Sequence, residues 1–313
     1  ANTSVSYNGE QIAIWKVDGE IKTTVLASKI VHEMFHGYQT VQGWNCSANE
    51  MEALCRYEYS AENLTLKLRE NDLLLSLLDG SDEAALRELM AHRKLRSEIY
   101  PYEYSYESKV EEIEGTATYV EWMVLKQLDE REAKVLTNRM RTVMTKPEYL
   151  LPIRISGYYT GALMINALSS AGIYPFAAAD RPVGISALKA VTPSDGVFTG
   201  KDMIFRNVSD AVDAFNKKSE EIIRSVLERN EVVLNGPLEL VCVNIYDARF
   251  YKGYITSRYF LLYRDEAGEK TIYGNYVIKL SDDKTISCVY RWDESLTPQY
   301  CPVKRTGPEK TDN

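Results

Sequence analysis

The stretch Val31-His-Glu-Met-Phe-His-Gly37 constrains this chain more than any other. Only three histidines occur in 313 residues, and two of them, His32 and His36, stand four apart with Glu33 between them. From about Thr23 the apolar residues Val25, Leu26, Ile30, Val31, Met34 and Phe35 recur at helical spacing, and Gly43 ends the run. On such a helix residues i and i+4 share a face. Both imidazoles can therefore address one ion, and Glu33, one residue round, can reach a water bound to it. That is the chemistry of HExxH. The ion, Zn2+, lowers the water's pKa, and the carboxylate takes its proton as the water attacks a carbonyl.

A catalytic zinc takes three protein ligands. The remaining histidine, His92, lies in the charged run AHRKLRSE and is expected on an exposed helix face. The third ligand is then a carboxylate, and Glu50, Glu52, Glu111 and Glu114 are all available in helical segments. The other reading of Glu111, Glu114 and Glu121 is the solvated face of an amphipathic helix.

EGTATYVE, Glu114 to Glu121, resembles the Glu-Gly-x-Ala-x-Tyr motif of gluzincin metallopeptidases of the alanyl aminopeptidase family. SGYYTGALM resembles that family's Tyr-x-x-Gly-Ala segment, and the three motifs follow the family's order. The resemblance implies a mostly helical, zincin-like fold. It implies Glu114 as third zinc ligand and Tyr158 as the donor to the oxyanion, with Glu111 and Tyr159 as the neighbours that could replace them. Small residues at Gly115 and Ala117 allow close helix packing there, and Thr118 could orient a ligand histidine. Arg154 reads as a surface arginine. The resemblance covers three short motifs. The 77 residues between His36 and Glu114 exceed the family's spacing, so the helical region from about 47 to 108 is expected outside the metal core. The family's Gly-Ala-Met-Glu-Asn strand is absent, and the strand near Gln11–Val17 is the natural substrate edge.

The rest of the chain supplies the fold class, α+β. Asn8-Gly9 between SVSY and EQIAIWKV predicts an N-terminal hairpin with a type I′ turn. Helices follow: one from Ser47, its N-cap, to Asp72; one after Asp82; then KVEEIEGTATYVEWMVLKQL, DEREAKVLTNRMRTVMT, ISGYYTGALMINALSS and SDAVDAFNKKSEEIIRSVLER. YPYEYSYES around Tyr100–Ser108 reads as an aromatic connector. The uncharged run from Ile155 to Ala179 reads as a buried core helix and a loop containing Pro175. After Asn235-Gly236-Pro237 the pattern turns to β, with four antiparallel strands expected. The domains are thus 1–235, zincin-like metallopeptidase, and 236–313, a small antiparallel β domain ending in a polar tail.

A formal net charge of -8 argues against nucleic acid as partner. The expected partner is a peptide or protein substrate, with no integral membrane span. Five scattered cysteines favour free thiols, Cys46–Cys55 and a pair among the last three being the bridges to check. The chain starts without methionine, which fits an exported protein with its leader removed as well as a cytoplasmic one. The expected function is zinc-dependent peptide hydrolysis with Glu33 as general base. A catalytically weak binding protein on the same scaffold, or a hydrolase of a non-peptide amide, are the alternatives.

Overall fold

The computed structural model describes residues 2–293 apart from 18, 45–46, 175–182 and 283. Pro175, Cys46, Cys301 and the polar tail therefore lie outside the described residues. The chain is mixed helix and sheet and divides into two compact units. Ala1–Ala48 and Glu62–Gly200 belong to the first, Asn49–Ala61 and Lys201–Tyr300 to the second.

The first unit opens with the expected hairpin, β1 (Thr3–Tyr7) and β2 (Glu10–Ile14), paired in antiparallel register. Asn8 and Gly9 both have positive φ, as a type I′ turn demands. Helix α1 (Thr23–Val41) carries HExxH, and Gly43 follows it at φ +66°. The predicted helix from Ser47 is two. Asn49, not Ser47, caps the short α2 (Glu50–Arg56) by accepting a hydrogen bond from the Glu52 amide; a break follows before α3 (Ala61–Ser76). Asp82 caps α4 (Glu83–Ile99). The aromatic connector is helical too. Pro101 starts α5 (Pro101–Val110), where its fixed φ and missing N–H suit a first turn. The backbone then widens into one π turn, Glu111–Gly115, and continues as α6 (Thr116–Leu128).

Helices α7 (Glu130–Met144), α8 (Arg154–Ser170) and α9 (Val183–Ala190) complete this unit. Ala162, Met164, Ile165 and Leu168 of α8 are fully buried, and α5, α6, α7, α9 and the π turn surround it. That explains why its sequence is apolar on every face. Among the described residues no helix is long and apolar enough to cross a membrane. The region from about 47 to 108, expected outside the two-helix metal core, is divided: Asn49–Ala61 groups with the second unit, and α3 and α4 pack into the hydrophobic core of the first. Leu64, Leu74, Leu77, Leu89 and Met90 of α3, α4 and the turn between them are buried, most of them in the cluster that contains Leu163 and Leu168.

In the second unit α10 (Met203–Arg229) groups with the sheet, so the compact units part near residue 200 and not near 236. Asn235-Gly236-Pro237 lies within a strand, β3 (Val232–Val243), where the register against β9 shifts between Asn235 and Leu238. A side chain on Gly236 would collide with the Ile286 carbonyl, so the tripeptide marks a bulge in the ladder. The four predicted runs become seven strands: β3, β4 (Arg249–Tyr251), β5 (Tyr254–Ser257), β6 (Phe260–Asp265), β7 (Gly268–Tyr273), β8 (Tyr276–Leu280) and β9 (Thr285–Arg291). The positive φ of Tyr259 and Gly274 splits two of the runs. The order is β4-β5-β8-β9-β3-β6-β7, antiparallel throughout. Successive residues serve opposite faces. Val277 packs with Ile222, Ile223 and Val226 of α10, while Ile278 joins Leu240, Ile255 and Ile286 in the cluster against which Met51 and Leu54 of α2 rest.

Candidate metal centre

Two helices, α1 and the π turn–α6 segment, carry the candidate ligands. Nε2 of His32 lies 3.6 Å and Nε2 of His36 3.4 Å from the same oxygen, Oε2 of Glu114. Donor atoms of the three residues all fall within 4.8 Å of one another. Metal–nitrogen and metal–oxygen bonds of about 2.0–2.1 Å in a tetrahedron place neighbouring donors ~3.3 Å apart. Both histidine–carboxylate separations are close to that spacing, so the three side chains could converge on one ion.

The tautomers fit as well. Nδ1 of His36 is 2.8 Å from Oε1 of Gln39. The Gln39 amide nitrogen is occupied in donating to the Glu112 and Ile113 carbonyls and to Thr116 Oγ1, which fixes Oε1 as the acceptor. Nδ1 of His36 is therefore a donor, the tautomer in which Nε2 could serve as a ligand. Nδ1 of His32 faces the Glu121 carboxylate at 3.0 Å, off the line of an ideal hydrogen bond, which also leaves Nε2 for the ion. Glu121 is buried and paired behind with Lys29 at 2.5 Å. A carboxylate or amide behind each ligand imidazole is the arrangement that orients histidines in metal sites.

Electrostatics follow from this crowding. Burial alone would lower the His32 pKa, but Glu114 and Glu121 outweigh it and raise it to about 9. Burial opposes ionisation of Glu121, yet Lys29 and His32 hold it at about 2. Burial likewise opposes ionisation of Glu114, and His32, His36 and Arg154 together hold its carboxyl well below the usual range. A field that favours a proton at His32 also favours a metal cation between the same groups. Glu33 is 8% exposed; burial pushes its carboxyl up, with the two histidines opposing.

Most candidates from the sequence have a definite place. Glu114 joins the histidines; Glu111 does not, since Arg93, Lys67 and Thr160 hold its carboxylate. Glu52 is exposed on α2, bonded to Asn49 and Arg56. Glu111, Glu114 and Glu121 are all buried, so the solvated-face reading does not hold. His92 is buried as well, because α4 packs inside the unit. The Tyr158 ring lies nearly parallel to His32, centroids 6.4 Å apart, whereas Tyr159 is buried in the main core, where burial raises its pKa. Thr118 orients neither histidine; its hydroxyl is buried without a hydrogen-bond partner. Arg154 is no surface residue: its side chain is 11% exposed and donates to Oε1 of Glu114 at 2.7 Å.

Sequence reasoning missed Gln39, Arg154 and Glu121 as supports. Two had a readable signal. Gln39 follows His36 by three, on the neighbouring face of α1, and Glu121 follows Glu114 by seven, two turns along. No protein-family model matches the chain, and neither any curated protein nor any solved structure is significantly similar to it.

Proposed function

We propose that this chain is a zinc-dependent metallopeptidase of the gluzincin type, with a zincin-like first unit. His32, His36 and Glu114 would hold Zn2+. The observation that carries the reading is the convergence of two Nε2 atoms and one carboxylate oxygen beside Glu33 on one helix. When bound, the metal would polarise the scissile carbonyl and acidify a water.

The chain's own residues would do the rest. The Glu33 carboxylate takes the proton of the attacking water on one oxygen and delivers it to the leaving amine nitrogen. Its burial, which pushes the carboxyl pKa up, suits a group that must gain and release a proton. The Tyr158 hydroxyl, on a ring alongside His32, donates to the oxygen on which negative charge develops, a contribution of about 3 kcal/mol where such donors have been removed. Gln39 and Glu121 fix the two imidazoles, and Arg154 holds the outer oxygen of Glu114. Peptides and proteins are the proposed substrates.

Mass-spectrometric profiling of a mixed peptide library tests this, with zinc-loaded wild type beside Glu33→Ala. Cleavage by the wild type alone is expected. Equal patterns from the two proteins, both carrying zinc, would refute peptidase activity.

A further inference from the structure

Three residues upstream of Glu114 lies a second carboxylate, Glu111, at the start of the π turn. It is 2% exposed and far more heavily engaged than a helix carboxylate needs to be. Arg93 grips it with two bonds, Nη1 to Oε2 at 2.9 Å and Nη2 to Oε1 at 2.6 Å. Lys67 Nζ donates to Oε1 at 3.1 Å and Thr160 Oγ1 at 2.7 Å. Arg93 and Lys67 come from α4 and α3, the region that separates the HExxH helix from Glu114 in sequence. Glu70, Glu107 and Arg96 complete the cluster, giving three cations against three carboxylates, all buried.

In an α-helix, residues three apart share a face. Glu111 and Glu114 would then compete for the same side of the segment. The wider π turn swings them apart, one toward the cation cluster and the other toward the histidines. The turn is held from other sides too. Glu112 accepts from the Val183 amide at 2.5 Å, and Gly115 and Gly161 touch backbone to backbone. An isolated π turn is a rare conformation that persists where its surroundings enforce it.

We propose that Glu111 is a positioning residue: gripped by Arg93, Lys67 and Thr160, it holds the π turn open and so aims Glu114 at His32 and His36. This rests on the metal-centre reading above. On this view the long insertion between the motifs has a task at the metal site, because it brings in the side chains that clamp the turn supporting the third ligand.

The test measures Zn2+ affinity by competition with a chromophoric chelator, together with the visible spectrum of the Co2+-loaded protein, which reports ligand geometry. The full chain is compared with Glu111→Gln, with the milder Thr160→Val, and with Arg96→Met. Arg96 is in the same cluster and as deeply buried, and its bonds go to Asn63, Glu70 and Glu107. Glu111→Gln should weaken Zn2+ binding by roughly tenfold or more and alter the Co2+ spectrum, the scale seen for supports of metal ligands. Thr160→Val should do so in the same sense and to a smaller extent, and it covers the case in which Glu111→Gln does not fold. Arg96→Met should lose thermal stability yet keep the wild-type spectrum. Wild-type affinity and spectrum in both Glu111→Gln and Thr160→Val, or an equal loss in Arg96→Met, would overturn the inference while leaving the metal centre intact. A wild type that binds no Zn2+ would overturn both.

Discussion

Gly161→Ala tests the packing on which the candidate site rests, because two opposing effects predict different signs. A Cβ at 161 would stand 2.6 Å from the Glu111 carbonyl oxygen, 2.7 Å from the Gly115 Cα and 3.0 Å from the Glu111 Cα. Ordinary carbon contacts lie at about 3.5–4.0 Å, so α8 and the π turn must part by roughly 0.8 Å. All three atoms are backbone, and no side chain can swing aside. Overpacking of this kind costs about 1–3 kcal/mol. Alanine in mid-helix returns ~1 kcal/mol through its better helix propensity. With rigid backbone on both sides the upper part of the cost applies, leaving a net loss of about 1–2 kcal/mol. For a unit of this size that is a fall in Tm of roughly 2–8 °C. Circular dichroism melts of the metal-free protein would measure it. Zn2+ affinity should drop as well, since the displaced turn carries Glu114. If α8 and the turn were not in backbone contact, only the propensity gain would remain. A Tm raised by about 2–4 °C, with Zn2+ affinity unchanged, would refute the packing argument.

Three further outcomes follow from named contacts. Glu33→Gln should retain stoichiometric Zn2+ while losing peptide cleavage by about 10²–10⁴-fold, the usual worth of a general base; turnover within tenfold of wild type would remove Glu33 from that role. Gln39→Leu deletes the acceptor of the His36 Nδ1 proton and should weaken Zn2+ binding by roughly 10–100-fold at nearly unchanged helix content, and undiminished affinity would show that the His36 ring needs no such anchor. Burial opposes ionisation of Glu111, but Arg93 and Lys67 hold it well below the unfolded value of about 4.3. The folded state then binds fewer protons than the unfolded one, so this contribution is present above about pH 4.3 and is lost as the pH falls further toward the folded value. Urea unfolding of the metal-free protein should weaken more steeply below that pH than in Glu111→Gln, and parallel curves would contradict it.

What sequence by itself determined here is local. Spacing of four put His32 and His36 on one face, Asn8-Gly9 specified the hairpin turn, and an apolar run free of charge marked α8 as core. These follow from periodicity and from the dihedral preferences of single residues, which neighbours in sequence decide. Glu114 was legible through its motif alone, because Glu111 offered the same chemistry one turn away. Tertiary structure separates them, with Glu114 beside the histidines and Glu111 in the cation cluster. The charged run of α4 around His92 read as an exposed face because charge predicts exposure. Arg93 and Arg96 are buried instead, with Lys67 of α3, since carboxylates from another helix, Glu107 and Glu111, meet them there. Gly236 read as a boundary because its turn chemistry is local, whereas the strand that runs through it depends on pairing with β9, about fifty residues on. Arg154 from α8 is brought to Glu114, and Glu121 from α6 to His32, by helix packing. Spacing along the chain shows which candidate ligands share a helix, and only the packed interior reveals which buried charges meet across helices.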